Sequence, residues 1–188
     1  MVDNRIYARA AELGAAVFSF SRWYPTRGAA PLASFDAPSW RRGLLELLGQ
    51  RSRLDRDRAG NVPEIATRDP LLAVLMAEIG LLSEGDRSRL RAQGRSFGSR
   101  ELFIEPDGTV HLSRYASTPI GSLRSQSLER IWESSRNDTL HEGDFERCSP
   151  CDNAAFCCGQ PDDALLREGR LTAPDRLCWS VSPKGESV

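Results

Sequence analysis

Cysteine is missing from the first 147 residues of this 188-residue chain, then occurs five times, at Cys148, Cys151, Cys157, Cys158 and Cys178. Lysine is almost missing as well: Lys184 stands alone, and every other basic side chain is arginine. Two histidines, His111 and His141, leave little room for imidazole chemistry. No Ser/His/Asp triad, phosphate-binding glycine loop or dinucleotide fingerprint stands out. A net charge of −1 gives no whole-chain field for nucleic acid or anionic lipid, so neither is expected as a partner. No stretch approaches the ~18 apolar residues of a membrane span. Arg5, Arg9 and Glu12 interrupt the apolar run a secretory signal needs. A cytoplasmic chain is therefore expected. Stable disulfides are unusual there, and an odd cysteine count fits a disulfide framework poorly. A metal site moves ahead.

The hydrophobic fraction, 40%, is enough to bury a core without help from the cysteines. "DNRIYARAAELG" reads as a short helix capped by Asp3 or Asn4 and stopped by Gly14, and "AAVFSFSRWYP" as a strand ending before Pro25. "PTRGAAP" is a turn-rich loop. "PSWRRGLLELLGQ" places Trp40, Leu44, Leu47 and Leu48 at helical spacing. Helix, strand, loop, helix is an α/β rhythm, and one or two such units cannot close a sheet alone. Residues 50–68, charged and containing Gly60 and Pro63, read as a linker or a solvated excursion. "RDPLLAVLMAEIG" is a helix with Asp69 as cap, Pro70 in the first turn and Gly80 as stop, and "SEGDRSRLRAQG" adds a shorter one.

The texture then changes. "RELFIEPDGTVHLSRY" alternates apolar and polar residues around Pro106-Asp107-Gly108, a hairpin signal: proline pre-sets the turn's first dihedral and glycine takes the left-handed position. "IGSLRSQSLERIWESS" predicts an amphipathic helix with Leu128, Ile131 and Trp132 on one side, and "PDDALLREG" a short helix beyond the cysteines.

Cys148 and Cys151 form a C-x2-C knuckle, which brings two thiolates onto one metal while backbone N–H groups point at sulfur. Cys157 extends it to C-x2-C-x5-C, and Cys178 supplies a fourth sulfur. Four thiolates suit zinc or an iron–sulfur cluster, and spacing alone does not separate the two. The absence of a second C-x2-C pair leans towards a cubane. Cys158 is the spare.

The set "LFIEPDGTVHLSRY…IGSLRSQSLERIWESS…CSPCDNAAFCCGQ…C" resembles the SPASM domain, the C-terminal extension of many radical S-adenosylmethionine enzymes that modify peptides. The family pattern runs through an I-x-P-D-G-x-V hairpin, I-G-x-L, S-L-x-x-I-W, C-x2-C-x5-C-x3-C and a late cysteine. Ile104, Pro106, Asp107, Gly108, Val110, Ile120, Gly121, Leu123, Ser127, Leu128, Ile131 and Trp132 match it in order. The resemblance implies two auxiliary 4Fe–4S clusters and assigns the second to Cys148, Cys151, Cys157 and Cys178, all present. The first would need cysteines near Ser96, Ser113 and Pro161, where none stands, so one cluster is expected. "ARAAELGAAVFSFSRWYPTRGAA" resembles the last helix–strand unit of the radical S-adenosylmethionine barrel. The C-x3-C-x2-C loop that binds the cofactor has no counterpart here, so this chain alone should not cleave S-adenosylmethionine.

The resulting expectation is an α+β chain: the partial end of an α/β barrel over residues 1–50, a helical bridge over 51–94, a SPASM-like β-hairpin/helix domain with a cysteine-ligated cluster over 95–180, and a disordered tail over 181–188. Its expected role is an iron–sulfur module that relays an electron and positions a peptide, as a portion or partner of a peptide maturase. The expected partners are a precursor peptide, a separate catalytic subunit, or both. The alternative is a structural zinc-binding or cluster-free protein-interaction domain. His111 and His141 read as surface or structural residues, and Glu142, Asp144 and Glu146 as a solvated face. Arg51, Arg53, Arg56 and Arg58 are interleaved by Asp55 and Asp57, which favours local pairing over a peptide-carboxylate site. Trp40, Trp132 and Trp179 read as core or cluster-shielding residues.

Overall fold

The computed structural model describes residues 5–22, 36–57, 61–93, 102–116, 118–137, 148, 151–154, 157, 164 and 173–180. The chain divides into two compact units, residues 1–82 with 176–188, and residues 83–175.

The first unit runs α1 (Arg5–Glu12), β1 (Val17–Phe20), α2 (Ala37–Asp57), β2 (Glu64–Thr67) and α3 (Pro70–Glu78). β1 and β2 pair in parallel with Phe18 opposite Ile65 and Phe20 opposite Thr67. A parallel pair needs a crossover, and α2 supplies it. Phe18 and Phe20 lean on the helices: the Tyr7 and Phe18 rings meet edge to face at 5.2 Å, and those of Phe20 and Trp40 at 6.5 Å. Tyr7, Leu44, Leu47, Leu71, Val74 and Leu75 form the buried core. The Tyr7 hydroxyl donates to the Pro63 carbonyl at 2.8 Å, fixing α1 to the residue before β2. Asp69 caps α3 as its sequence requires, accepting from the Leu71 N–H, with Pro70 in the first turn.

Two expectations change here. Two parts of the stretch read as a linker or solvated excursion are regular structure: residues 51–57 continue α2, and 64–67 form β2. Arginine and leucine are good helix formers and carry α2 past Gly49, while Pro63 precedes the strand and so removes no ladder donor. The expected barrel end stands as an open layer: among the described residues the sheets have two and three strands, and neither closes.

The second unit holds α4 (Glu84–Gln93), β3 (Phe103–Ile104), β4 (Thr109–His111), β5 (Gly121–Ser122) and α5 (Leu128–Asn137). Ser83 and Asp86 cap α4 reciprocally: the Asp86 N–H donates to the Ser83 hydroxyl oxygen at 3.1 Å, and the Ser83 N–H to the Asp86 carboxylate at 3.1 Å. The hairpin forms where Pro-Asp-Gly places it. Gly108 has φ 89°, the Gly108 N–H donates to Glu105 at 2.9 Å, and the Thr109 N–H donates to the Asp107 carboxylate at 2.8 Å. β5 is an addition to the expected hairpin; it pairs with β4 through Val110 and Gly121. The helix expected from Ile120 therefore begins at Leu128, with the Ser127 hydroxyl accepting the Arg130 N–H at 3.3 Å. Ile131 and Val110 are fully buried, Trp132 is half-buried, and Leu128 is exposed rather than sharing the buried face. The short helix expected at 161–169 (apart from Ala164) and the tail at 181–188 lie outside the described residues.

No helix among the described residues is long and apolar enough to cross a membrane.

Candidate iron–sulfur site

Cys148, Cys151, Cys157 and Cys178 are thiols rather than disulfides. Three backbone hydrogen bonds join described residues between Cys148 and Cys157. The Cys151 N–H donates to the Cys148 carbonyl at 2.9 Å, the Ala154 N–H to the Cys151 carbonyl at 2.9 Å, and the Cys157 N–H to the Asn153 carbonyl at 2.8 Å. A bond from residue i+3 back to residue i brings their α-carbons within about 7 Å, so Cys148 and Cys151 leave one turn together. Cys157 is buried, whereas Cys148 and Cys151 are half-buried.

Cys178 belongs to the first unit, and the other three to the second. Of its two neighbours, Trp179 is tied to Glu78 at the end of α3. Leu177 is buried, and Trp179 donates its indole N–H to Glu78 Oε1 at 2.6 Å. Among the described residues, no three Cys, His, Asp or Glu side chains gather as a metal-holding group. Four soft thiol donors have the chemistry for iron–sulfur or zinc binding.

The residues implied for a first cluster do not fit one. Ser113 is committed to its own loop: its hydroxyl oxygen accepts the Tyr115 N–H at 3.0 Å and its carbonyl accepts the Ala116 N–H at 3.2 Å. A serine hydroxyl is also a poor iron ligand at neutral pH. Ser96, Pro161 and Cys158 lie outside the described residues, as do His141 and the acidic run Glu142, Asp144 and Glu146.

His111 has the structural role expected of it. It is buried, its Nδ1 lies 3.3 Å from the Thr118 carbonyl, and its Nε2 lies 3.7 Å from Glu105 Oε1. The Nδ1 contact joins β4 to the segment that returns to β5. Arg114 closes the same loop from the other side, with its guanidinium 6.0 Å from the centre of the Phe103 ring. Asp107, in the hairpin turn, is held below the ordinary carboxylate range, first by the Thr109 backbone N–H, with a smaller contribution from Arg124.

Sequence reasoning missed three positioning features. Arg22 and Asp69 form a buried two-point ion pair, with both N–O distances 2.7 Å. Arg22 also lies 5.6 Å from the centre of the Trp40 ring, which joins the end of β1 to α2 and α3. Gly121 gives Ile131 room to pack on β5. Glu78 receives the segment around Trp179, and no local signal links residues 101 apart in sequence.

With this geometry in hand, comparison with known proteins adds one similarity. Residues 96–153 match the model of the SPASM family, described as an iron-sulfur cluster-binding domain. The matched segment contains the β3–β4–β5 sheet, α5, Cys148 and Cys151, and stops short of Cys157 and Cys178. No curated protein and no solved structure matches the chain.

Proposed function

We propose that this chain is a SPASM-type iron–sulfur module of a radical S-adenosylmethionine maturase system, as its C-terminal portion or as an accessory partner. In this reading it binds one auxiliary 4Fe–4S cluster through Cys148, Cys151, Cys157 and Cys178. The observation that carries the reading is the SPASM match over residues 96–153, whose last residues contain the hydrogen-bonded Cys148–Cys151 turn. Cys157 and Cys178 join that pair on spacing and on thiolate chemistry. When bound, such a cluster supplies one-electron redox chemistry at a potential set by burial and by hydrogen bonds to its sulfurs.

The chain's own residues prepare the site. The Cys151 N–H bond to the Cys148 carbonyl ties two of these cysteines together, and Cys157 is buried. The Ser113 loop, closed on itself, supports a count of one cluster rather than two. These residues contain no C-x3-C-x2-C loop, so cleavage of S-adenosylmethionine falls to polypeptide outside them. The role left to this module is electron relay and positioning of a precursor peptide, in the cytoplasm. A catalytic partner is supported by the β1–β2 layer, which has only two strands among the described residues, and by Ile6, Leu13 and Val17, which are more than half exposed on α1, the turn after it and β1. Parallel sheets are otherwise covered on both faces.

Anaerobic purification tests the reading. Brown protein with iron and acid-labile sulfide in equal amounts supports it. Colourless protein carrying zinc favours the structural-metal alternative. Metal-free protein whose stability is unchanged when Cys148 and Cys151 are replaced by alanine favours a cluster-free interaction domain.

A further inference from the structure

Cys178 is held by its neighbours. On one side Leu177 is buried. On the other, Trp179 and Ser180 converge on a single carboxylate at the end of α3. Glu78 Oε1 accepts the Trp179 indole N–H at 2.6 Å and the Ser180 hydroxyl at 3.3 Å, while Oε2 pairs with Arg41 of α2 at 3.2 Å. The Arg41 guanidinium also lies 5.8 Å from the centre of the Trp179 ring. Arg41 thereby orients the carboxylate and covers the indole at the same time. Cys178 itself is half-buried between these two anchors.

We infer that Glu78 is the positioning residue for Cys178, fixing the Trp179–Ser180 segment so that the thiol is presented for ligation. The inference rests on the cluster reading for the word ligation, but the clamp can be measured without a cluster. Side chains as long as tryptophan and arginine lose rotamer freedom when they are held, so the contacts that hold them must offset that cost. Glu78 accepts all three of these tethers.

The test uses the full chain in its cluster-free, reduced form, with alkylation by iodoacetamide followed residue by residue by mass spectrometry. Glu78→Ala removes the acceptor for Trp179 and Ser180 and should raise the alkylation rate of Cys178 about tenfold, the factor that about 1.4 kcal/mol of lost hydrogen bonding produces. The rates at Cys148 and Cys151, in the other unit, should not change. Trp179→Phe keeps the ring but loses the indole donor and should move Cys178 in the same direction. Glu78→Gln keeps an acceptor oxygen and should restore most of the protection. Unchanged far-ultraviolet circular dichroism separates these effects from unfolding.

A Cys178 rate within twofold of the parent chain in both Glu78→Ala and Trp179→Phe overturns the clamp. A second arm uses cluster-loaded protein, with bleaching by an iron chelator followed in the visible. Faster bleaching in Glu78→Ala than in the parent supports positioning for ligation. Faster alkylation with unchanged bleaching overturns the ligand part while leaving the clamp. A cluster whose iron content survives Cys178→Ala contradicts the four-thiolate assignment itself, so the two failures are told apart.

Discussion

A β-carbon placed on Gly121 would lie 2.7 Å from Cγ1 and 3.0 Å from Cδ1 of Ile131, closer than folded chains tolerate. Gly121 sits on β5 opposite Val110, and Ile131 and Val110 are both fully buried. The seam between the three-stranded sheet and α5 therefore depends on a missing methyl group.

Gly121→Ala should destabilise the second unit by about 1–3 kcal/mol, the usual cost of overpacking. Ile131→Ala alone should cost about 2–5 kcal/mol through the cavity it leaves. The double variant should cost less than the sum, because removing the isoleucine also removes the clash. Urea unfolding of the four proteins measures the coupling, and strict additivity would contradict the packing account.

The Arg22–Asp69 pair gives the matching prediction for the first unit. Its side chains are 6% and 1% exposed, so neither charge has water to fall back on. Asp69→Asn keeps an oxygen that can accept the Leu71 N–H but loses the negative charge. It should cost about 3 kcal/mol, because a buried guanidinium is left uncompensated. Arg9→Ala breaks an ion pair with Glu12 whose side chains are 67% and 52% exposed. That change should cost under about 1 kcal/mol. Equal effects from the two variants would mean that burial is not what gives the Asp69 pair its value.

Acid should loosen both units through three exposed carboxylates. Asp36 and Asp86 are held below their ordinary value of 3.8 by the hydroxyl and backbone N–H of Ser39 and Ser83 respectively, and Asp107 by the backbone N–H of Thr109. A carboxylate whose folded pKa is depressed adds stability above its unfolded value, and that stability is lost as pH falls through the folded one. The urea midpoint should therefore hold down to about pH 4 and fall below it. Asp86→Ala should be less stable than the parent at neutral pH and should lose less on acidification. A midpoint that rises between pH 4 and pH 3 would contradict the assignment.

What could be read from the sequence was local. Asp69-Pro70 fixed the start of α3, and Pro106-Asp107-Gly108 fixed the hairpin, because a cap or a turn is decided by a few adjacent side chains. What escaped was long-range. Two-residue β5 leaves no period to detect, and it exists because β4 offers an edge. Residues 51–57 and 64–67 looked like a linker because their charge hid a solvated helix surface and a strand that needs β1 to pair with. The Arg22–Asp69 and Glu78–Trp179 contacts join residues 47 and 101 positions apart. At the candidate site, the C-x2-C spacing located the Cys148–Cys151 turn, and serine at position 113 pointed to a loop without an iron ligand there.

The most direct test of the central claim is Mössbauer spectroscopy of the chain loaded anaerobically with iron-57 and sulfide. The account predicts about four irons per chain, all in the signature of one 4Fe–4S cluster, and loss of that signature when Cys148 and Cys151 are both replaced by alanine. About eight irons per chain, mononuclear iron only, or a cluster that survives the double replacement would contradict it.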